Sequence, residues 1–198
     1  MTDHLEIEQK FEVGEHFQRP GFGALPGVTA ADLDTRQLSA TYFDTAGMRL
    51  MAAKITLRRR TGGTDEGWHL KLPEGEDARL EVREPLGDSA EEVPDRLASR
   101  VAEVTGGLPL APIAILDTER TVVTLTGNDG RQVAEIADDV VTARRLTGGA
   151  GEPLRWREIE VEVPEASPDL QRAAADLLLA AGARPAGHGS KLARLLSS

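Results

Sequence analysis

The chain has 198 residues, of which 40% are hydrophobic and 28% are charged, and these values are ordinary for a globular domain with its own core. No apolar run approaches the roughly 18 residues that a membrane-spanning helix needs. The opening residues carry no basic stretch followed by an apolar signal core, and the lack of cysteine excludes disulfides and thiolate metal sites. We therefore expect a single cytoplasmic domain over residues 1–198, without membrane contact.

The formal net charge of −10 limits the classes of partner. Proteins dedicated to binding nucleic acid or anionic membranes usually present a basic surface that releases counterions on binding. The overall charge argues against both classes. A polyanionic ligand would have to bind at a local basic site, so the placement of the basic residues matters.

Alternation of apolar and polar residues with a period of two recurs through most of the chain and predicts a strand-dominated fold. Glycine-rich connections, TGGTDEG, TGNDG and TGGAGEP, are of the kind that join antiparallel neighbours. They predict meanders between those strands. The predicted strands cover residues 4–13, 38–44, 54–60, 67–72, 79–84, 115–125, 131–142 and 155–163.

Helical patterning predicts a smaller helical component. For the longest regular segment, Ser167 is placed to cap the first turn, Pro168 suits that turn and Gly182 ends the run. We therefore expect an α+β protein in which helices flank a sheet. The predicted helices cover residues 89–104, 168–181 and 190–196.

Charged residues occupy one face of almost every predicted strand. The segment LEIEQKFEV at residues 5–13 has Glu6, Glu8 and Lys10 at every second position. The same alternation places further charged residues on one face of the later strands: Arg58, Arg60, Lys71, Arg79, Glu81, Arg83, Arg120, Glu135, Asp139, Glu158, Glu160 and Glu162.

Two geometries are compatible with this pattern. In one, the charged faces of an antiparallel sheet lie in water. In the other, the sheet closes into a wide barrel, the charged faces point into the lumen and helices cover the apolar outer face. Charges inside such a lumen are costly unless they are paired or bind a metal or an anion. The alternation alone leaves both geometries open.

The order of the motifs resembles that of the CYTH domain, also called the triphosphate tunnel metalloenzyme family. The resemblance runs from Glu6 to Lys191, and the ordered set is more specific than its opening ExExK signature. It implies an eight-stranded antiparallel β-barrel that binds a triphosphate and a divalent metal inside a tunnel. The motifs are EIEQKF, YFDT, LRRRTGG, WHLKLP, RLEVRE, EIADD, WREIEVEV and GSKLARLL.

The resemblance also implies which residues bind a small-molecule triphosphate. Arginine and lysine suit this task, because guanidinium forks match phosphate oxygens and several cations are needed to desolvate a polyanion. Arg79 and Arg83 share a face with Glu81, so an internal ion pair is an alternative to phosphate contact there. The expected substrate-binding residues are Lys10, Arg58, Arg60, Lys71, Arg79, Arg83, Arg120 and Lys191.

The resemblance further implies a carboxylate site for Mg²⁺ or Mn²⁺, which prefer oxygen ligands. Either Glu158 or Glu160 is expected near the attacking water, and Lys10 is expected to take part in catalysis. By the alternation of side chains, Asp139 falls on the face of its strand that carries the family's acidic position, although a bulge would put Asp138 there instead. The expected metal ligands are Glu6, Glu8, Glu158, Glu160 and Asp139, while Glu81, Glu135 and Glu162 are expected on the tunnel wall.

Thr118, His69 and Ser190 bear on substrate preference, metal binding and catalysis. Thr118 stands where many relatives of the family have a basic residue, which affects substrate preference. Among the four histidines only His69 shares the parity of Lys71, and none has the spacing of a zinc site. Ser190 lacks the context of a nucleophile elbow, so we expect no catalysis by it.

The leading functional hypothesis is metal-dependent hydrolysis of inorganic triphosphate or thiamine triphosphate, with release of orthophosphate. A class IV adenylate cyclase, which forms cyclic AMP and pyrophosphate from ATP, is the second hypothesis. A module that binds polyphosphate or a nucleotide without turnover is the third.

Overall fold

A computed structural model describes residues 3–6, 8–74, 78–87, 89, 92–148, 151–163 and 167–198. For residues 3–6 and for Ala78 only the backbone is described. Ten strands of this part of the chain form one antiparallel sheet. They are β1 (Asp3–Glu6), β2 (Glu8–Val13), β3 (Val28–Asp44), β4 (Thr56–Thr61), β5 (Gly67–Glu74), β6 (Ala78–Glu84), β7 (Ala111–Gly127), β8 (Gln132–Arg145), β9 (Leu154–Glu162) and β10 (Arg184–Pro185).

The strand order β1-β6-β5-β4-β3-β7-β8-β9-β2-β10 contains the two expected meanders, β4-β5-β6 and β7-β8-β9. The hydrogen-bonded order itself is open. However, β1 pairs with β6, β2 pairs with β9, and β1 and β2 are separated in the chain by one residue. One segment of chain therefore supplies β1 at one end of the order and β2 beside its other end. The expected strand-dominated α+β fold class is confirmed, and the hydrogen-bonded sheet of the described residues is not itself closed.

The third strand begins ten residues earlier than the sequence predicts. β3 starts at Val28 instead of residue 38, and it pairs with β7 along its whole length, whereas it pairs with β4 only from Ser39 to Phe43. Most side chains from residue 29 to residue 35 are exposed. Because neither face of this part is buried, its sequence has no alternation of apolar and polar residues to reveal a strand.

The helices also depart from their predicted bounds. Two short helices occur in place of one helix over 89–104. The first begins after Pro94, because helical backbone is disfavoured for the residue that precedes a proline. Residues 90 and 91 of this segment lie outside the described part. The Ser167 side chain makes no capping hydrogen bond. The helices are α1 (Arg49–Ala52), α2 (Asp95–Arg100), α3 (Ala102–Thr105), α4 (Pro168–Ala180) and α5 (Lys191–Ser197).

The sheet and its helices enclose three buried apolar clusters, two on the face opposite the charged side chains and one on the same face as them. Helix α4 packs on β7, β8 and β9 through Ala174 and Leu178. Helix α5 instead packs through Leu192 and Leu195 against Ala143 and Trp156, which share a face with Asp139 and Glu158. Helices α1 and α2 cover β4, β5 and β6, with Leu97 in the cluster. Helices α1, α2 and α4 thus cover the face opposite the charged side chains, whereas α5 lies on the same face as those side chains.

The YFDT motif has a structural role at the end of β3. The carboxylate of Asp44 is buried and accepts hydrogen bonds from the backbone N–H groups of Thr45, Leu50 and Met51, at 2.7–2.9 Å. Leu50 and Met51 belong to the first turn of α1, where backbone donors lack partners within the helix. Asp44 therefore fixes the turn from β3 into α1.

Candidate functional site

The charged faces of the strands surround a cavity of about 250 Å³. Nine basic and six acidic side chains of the described residues line it, so this region carries an excess of positive charge in a chain whose net charge is −10. The basic residues are Lys10, Arg36, Arg58, Arg60, Lys71, Arg79, Arg83, Arg120 and Lys191, and the acidic ones are Glu8, Asp65, Glu81, Glu135, Glu160 and Glu162.

Six of the basic side chains come from neighbouring strands, and we call them the basic wall. Strand β4 contributes Arg58 and Arg60 as alternate residues, and β5 contributes Lys71. The alternation of a strand is what directs these side chains to one face. The basic wall consists of Arg36 of β3, Arg58 and Arg60 of β4, Lys71 of β5, and Arg79 and Arg83 of β6.

Arg58 has few partners for a buried cation. Its Nη1 donates to the hydroxyl of Tyr42 at 3.4 Å, and its Nε is buried without a hydrogen-bond partner among the described residues. Burial opposes the charge, but the Tyr42 hydroxyl raises the pKa of Arg58 above its ordinary value. A buried N–H group without an acceptor is well suited to a ligand oxygen.

The positive charge of Arg60 is disfavoured at its position on the basic wall. Burial and the nearby charge of Arg58 lower the pKa of Arg60 to about 10. The carboxylate of Asp65, in the loop after β4, forms an ion pair with Arg60 and partly offsets this effect. The guanidinium stays charged at neutral pH, and an additional anion beside it would be stabilising.

The carboxylate cluster lies on the strands at the other end of the order. Glu8 of β2 and Glu160 and Glu162 of β9 each offer an oxygen within 4.8 Å of the others. Lys10 lies between Glu8 and Glu160, with Nζ to oxygen distances of 2.9 and 3.0 Å. Carboxylate oxygens at this spacing are suitable ligands for a hard divalent cation. Glu135 lines the cavity beside them, because it pairs in register with Glu162.

Lys191 is surrounded by three carboxylates. Its Nζ lies 2.9 Å from Asp139, 2.8 Å from Glu158 and 2.6 Å from Glu160. Burial opposes the charge of this lysine, but the carboxylates raise its pKa well above the ordinary value. Lys191 is the first residue of α5, whose N-terminus is capped by the Ser190 hydroxyl, which accepts from the backbone N–H of Ala193 at 3.1 Å.

Glu160 contacts three cations. Besides Lys10 and Lys191, Arg120 donates to it at 2.9 Å from Nη2. Burial alone would raise the pKa of Glu160, but these cations hold it well below the ordinary value. The carboxylate is therefore ionised at neutral pH, which is the form that binds a metal ion.

The two neighbouring aspartates of β8 face opposite sides of the sheet. Asp139 is fully buried and accepts two hydrogen bonds from Arg120, at 2.8 and 2.7 Å. Asp138 accepts two from Arg157, each at 2.8 Å. Arg157 also donates to the backbone oxygen of Phe17, which ties the segment after β2 to this outer face. Asp139 is thus the aspartate on the side of the charged residues.

Most of the site residues expected from the sequence line this one cavity. Asp139 and Glu158, expected as metal ligands, instead lie behind its surface and contact Lys191, and Glu158 also accepts from the indole N–H of Trp156 at 2.5 Å. The side chain of Glu6, expected as a further ligand, lies outside the described residues.

Sequence reasoning missed several residues of the site. Tyr42 pairs in register with Arg58, so its parity on β3 was a usable signal. Asp65 and Thr64 lie in the loop between β4 and β5, where no alternation indicates which way a side chain points. Arg36 was missed together with the first part of β3.

The fold and the cavity define a strand-dominated tunnel protein with a charged interior. The chain belongs to the CYTH domain family, whose model matches residues 4–195. It is 43% identical to an uncharacterised protein of Mycobacterium tuberculosis, present in strains CDC 1551 and H37Rv, over 98% of this chain and 40% of that protein. The chain thus spans about two fifths of the length of the curated relatives it matches.

Solved structures share the fold at low sequence identity. A candidate adenylate cyclase of Bacillus halodurans superposes with a TM-score of 0.67 at 18% identity, covering 98% of each chain. A candidate adenylyl cyclase from Hippeastrum, described as having a dominant triphosphatase activity, superposes with a TM-score of 0.54 at 18% identity, covering 97% of this chain and 95% of that one.

The helices of the described residues are too short or too polar to cross a bilayer.

Proposed function

We propose that the chain is a divalent-metal-dependent triphosphatase that hydrolyses inorganic triphosphate or thiamine triphosphate and releases orthophosphate. The observation that carries the proposal is the presence of the basic wall and the carboxylate cluster in one cavity. A phosphate chain needs several cations at close range, whereas simple anion binding has no use for three converging carboxylates. Together they favour catalysis over storage of an anion.

Inorganic triphosphate is the substrate that the lining favours. Among the described lining residues, Tyr42 is the single aromatic side chain and Leu38 the single aliphatic one. Tyr42 is buried and contacts Arg58, so its ring offers no open face for stacking. Organic ligands usually bind against apolar and aromatic side chains. A nucleotide base or a thiamine ring would therefore lie outside the cavity, with recognition limited to the phosphates.

The residues that would hold a metal ion are Glu8, Glu160 and Glu162, because their oxygens converge and Glu160 is ionised. Mg²⁺ and Mn²⁺ suit oxygen ligands. Such an ion, when bound, supplies charge stabilisation to the phosphoryl group during in-line displacement. The amino group of Lys10 lies between Glu8 and Glu160 and would orient both carboxylates while contacting the substrate.

The chain's own residues would bind the phosphates, orient the attacking water and keep Glu160 in position. Arg58 and Arg60 would hold the phosphates, Arg58 through an N–H group that has no acceptor in the described structure. Glu160 is the carboxylate we assign to the attacking water, since it lies at the cavity surface whereas Glu158 lies behind it. Lys191 would keep Glu160 ionised and in place. We also propose that residues 1–198 form one tunnel domain.

Product analysis tests the proposal. The purified chain is incubated with inorganic triphosphate, thiamine triphosphate and ATP, in Mg²⁺, in Mn²⁺ and with chelator, and the released products are identified. We expect orthophosphate from inorganic triphosphate, released only when the metal is present. The Glu160→Gln variant should lose this activity, and Glu103→Gln, an exposed residue of α3, is the matched control.

Two outcomes would overturn the proposal. Cyclic AMP and pyrophosphate from ATP would identify the chain as a cyclase. Tight binding of all three compounds without any product would identify a binding module.

A further inference from the structure

His69 is a buried histidine beside the basic wall that the proposed reaction does not use. It lies on β5 with the parity of Lys71, and it is 1% exposed. Its neighbours Trp68 and Leu70 point to the apolar side of the sheet. The histidine therefore stands among the charged residues and needs polar partners of its own.

Both ring nitrogens of His69 face hydrogen-bond acceptors. Nδ1 lies 2.9 Å from Oε1 of Glu81, and Nε2 lies 2.8 Å from the backbone oxygen of Asp65. A neutral imidazole carries one N–H and can donate to one of these oxygens only. The doubly protonated ring donates to both. The geometry therefore fits the imidazolium form.

The proton cannot come from Glu81. Nε of Arg83 donates to Oε2 of Glu81 at 2.5 Å, and Nζ of Lys71 lies 3.9 Å from Oε1 of Glu81. Burial would raise the pKa of Glu81, but His69 and these cations hold it below its ordinary value. Glu81 is ionised, so both oxygens of this buried carboxylate act as acceptors.

Other groups around the ring oppose its positive charge. Burial lowers the pKa of His69, and Arg58 and Arg60 of β4 lower it further, while Glu81 of β6 raises it. Further charged groups near this cluster, among the described residues, are Arg83 of β6, Lys71 of β5 and Asp65 of the loop between β4 and β5. In the ligand-free chain the two hydrogen-bond acceptors therefore favour the protonated form of His69, whereas burial and the nearby arginines favour the neutral form.

The loop that His69 contacts is closely packed. Gly62 and Gly63 both have positive φ angles, +80° and +83°. A Cβ at Gly62 would lie 2.1 Å from the backbone oxygen of Gln37, so the loop runs directly over the edge of β3. The loop then places the Asp65 carboxylate on Arg60. The hydrogen bond from His69 to the Asp65 backbone holds the point at which the loop returns to β5.

We propose that His69 is a positioning residue whose doubly protonated ring holds Asp65, and through it Arg60, in place, and that binding of a triphosphate on the basic wall is coupled to uptake of a proton at His69. The inference rests on the proposed function, since it assumes that the phosphates bind at Arg58 and Arg60. It goes beyond that function by naming the residue that makes the binding depend on pH.

The sign of the coupling follows from the charges. A polyanion beside Arg58 and Arg60 offsets the repulsion that these residues exert on the imidazolium. His69 then holds its proton more firmly in the complex than in the free chain. Affinity should therefore increase as the pH falls toward the pKa of His69 in the free chain, and it should level off below that pKa.

Calorimetry on the full chain provides the test. Inorganic triphosphate is titrated with chelator present, in two buffers of different ionisation heat, between about pH 5.5 and about pH 8. Protons exchanged by the ligand itself are common to all variants. We expect the unsubstituted chain to take up more protons than His69→Gln, by up to about one per bound ligand. His16→Gln, at an exposed histidine, should behave as the unsubstituted chain.

A second measurement avoids substitutions. The ring nitrogen shifts of His69, followed by NMR against pH with and without inorganic triphosphate, report its protonation directly. We expect a higher pKa in the complex. An unchanged pKa, or equal proton uptake by the unsubstituted chain and His69→Gln, would overturn the inference while leaving the proposed function intact. Failure of the unsubstituted chain to bind triphosphate would instead overturn the proposed function.

Discussion

Lys191 Nζ lies 2.6 Å from Oε1 of Glu160, and this contact joins the first residue of the last helix to the middle of the sheet. Helix α5 is held in position at both ends. Ser190 caps its N-terminus, and Arg145 donates to the backbone oxygens of Leu195 and Ser198 near its C-terminus, in both cases at 2.7 Å from Nη2. The helix thus places a cation among three buried carboxylates.

Replacing Lys191 by methionine should destabilise the fold strongly. The change removes the shared cation and leaves Asp139, Glu158 and Glu160 with less compensation, and breaking a buried ion pair costs about 3–5 kcal/mol. Urea unfolding at neutral pH measures the loss. Arg172→Met, at an exposed position of α4, is the control and should change stability little. An unchanged free energy of unfolding for Lys191→Met would contradict the described contacts.

Stability should decline in acid. Burial would raise the pKa values of Asp139 and Glu160, but the surrounding cations hold both below their ordinary values. Such groups contribute stability above their pKa values in the unfolded chain, about 4, and this stability is lost as the pH falls below that value. Urea midpoints measured against pH should therefore be level near neutrality and fall steeply in acid. The decline should be shallower in Asp139→Asn, and an identical profile would refute this origin.

Arg58→Gln should weaken triphosphate binding without a matching loss of stability. The Nε group of Arg58 has no acceptor among the described residues, so the ligand-free chain gains little from it. Charge-assisted hydrogen bonds contribute about 1.5–3 kcal/mol, which corresponds to a loss of affinity of roughly tenfold to more than a hundredfold. Calorimetry with inorganic triphosphate measures the affinity. Arg131→Gln, at an arginine that is 86% exposed, should bind as the unsubstituted chain. Equal affinity for Arg58→Gln would remove Arg58 from the phosphate site.

Metal affinity should depend on position within β9. Glu8→Gln with Glu162→Gln removes two carboxylates of the cluster and should lower Mn²⁺ affinity by at least tenfold, as measured by calorimetry or by electron paramagnetic resonance. Glu158→Gln makes the same chemical change on the same strand, but at a side chain that lies behind the cavity. It should leave Mn²⁺ affinity nearly unchanged. The reverse ranking would show that the ion is held elsewhere.

How much of the site follows from the sequence depends on the local structure. On regular strands parity is sufficient, and it places Lys10, Arg58, Arg60 and Lys71 on one face because side chains alternate. Parity gives the face of Glu158 as well, but not the burial of this residue beneath Lys191. That burial depends on how α5 packs, which is a tertiary property.

Other parts of the fold carried no usable sequence signal. Residues 29–35 of β3 are exposed, so their sequence has no alternation of buried and exposed residues, and this part of the strand is specified by its pairing with β7. The position of Asp65 depends on two glycines with positive φ and on a hydrogen bond from His69. The expected position of Lys191 came from the family resemblance, since a short terminal helix contains no periodicity that identifies a functional residue.

A phosphate chain and a divalent ion should bind together inside the sheet. A crystal structure with Mn²⁺ and a non-hydrolysable triphosphate analogue provides the most direct test, because anomalous scattering locates the manganese. We expect an anomalous peak in contact with Glu8, Glu160 and Glu162, with phosphate oxygens on Arg58 and Arg60. Manganese and phosphates bound outside the cavity, with these side chains still paired as described, would contradict this prediction.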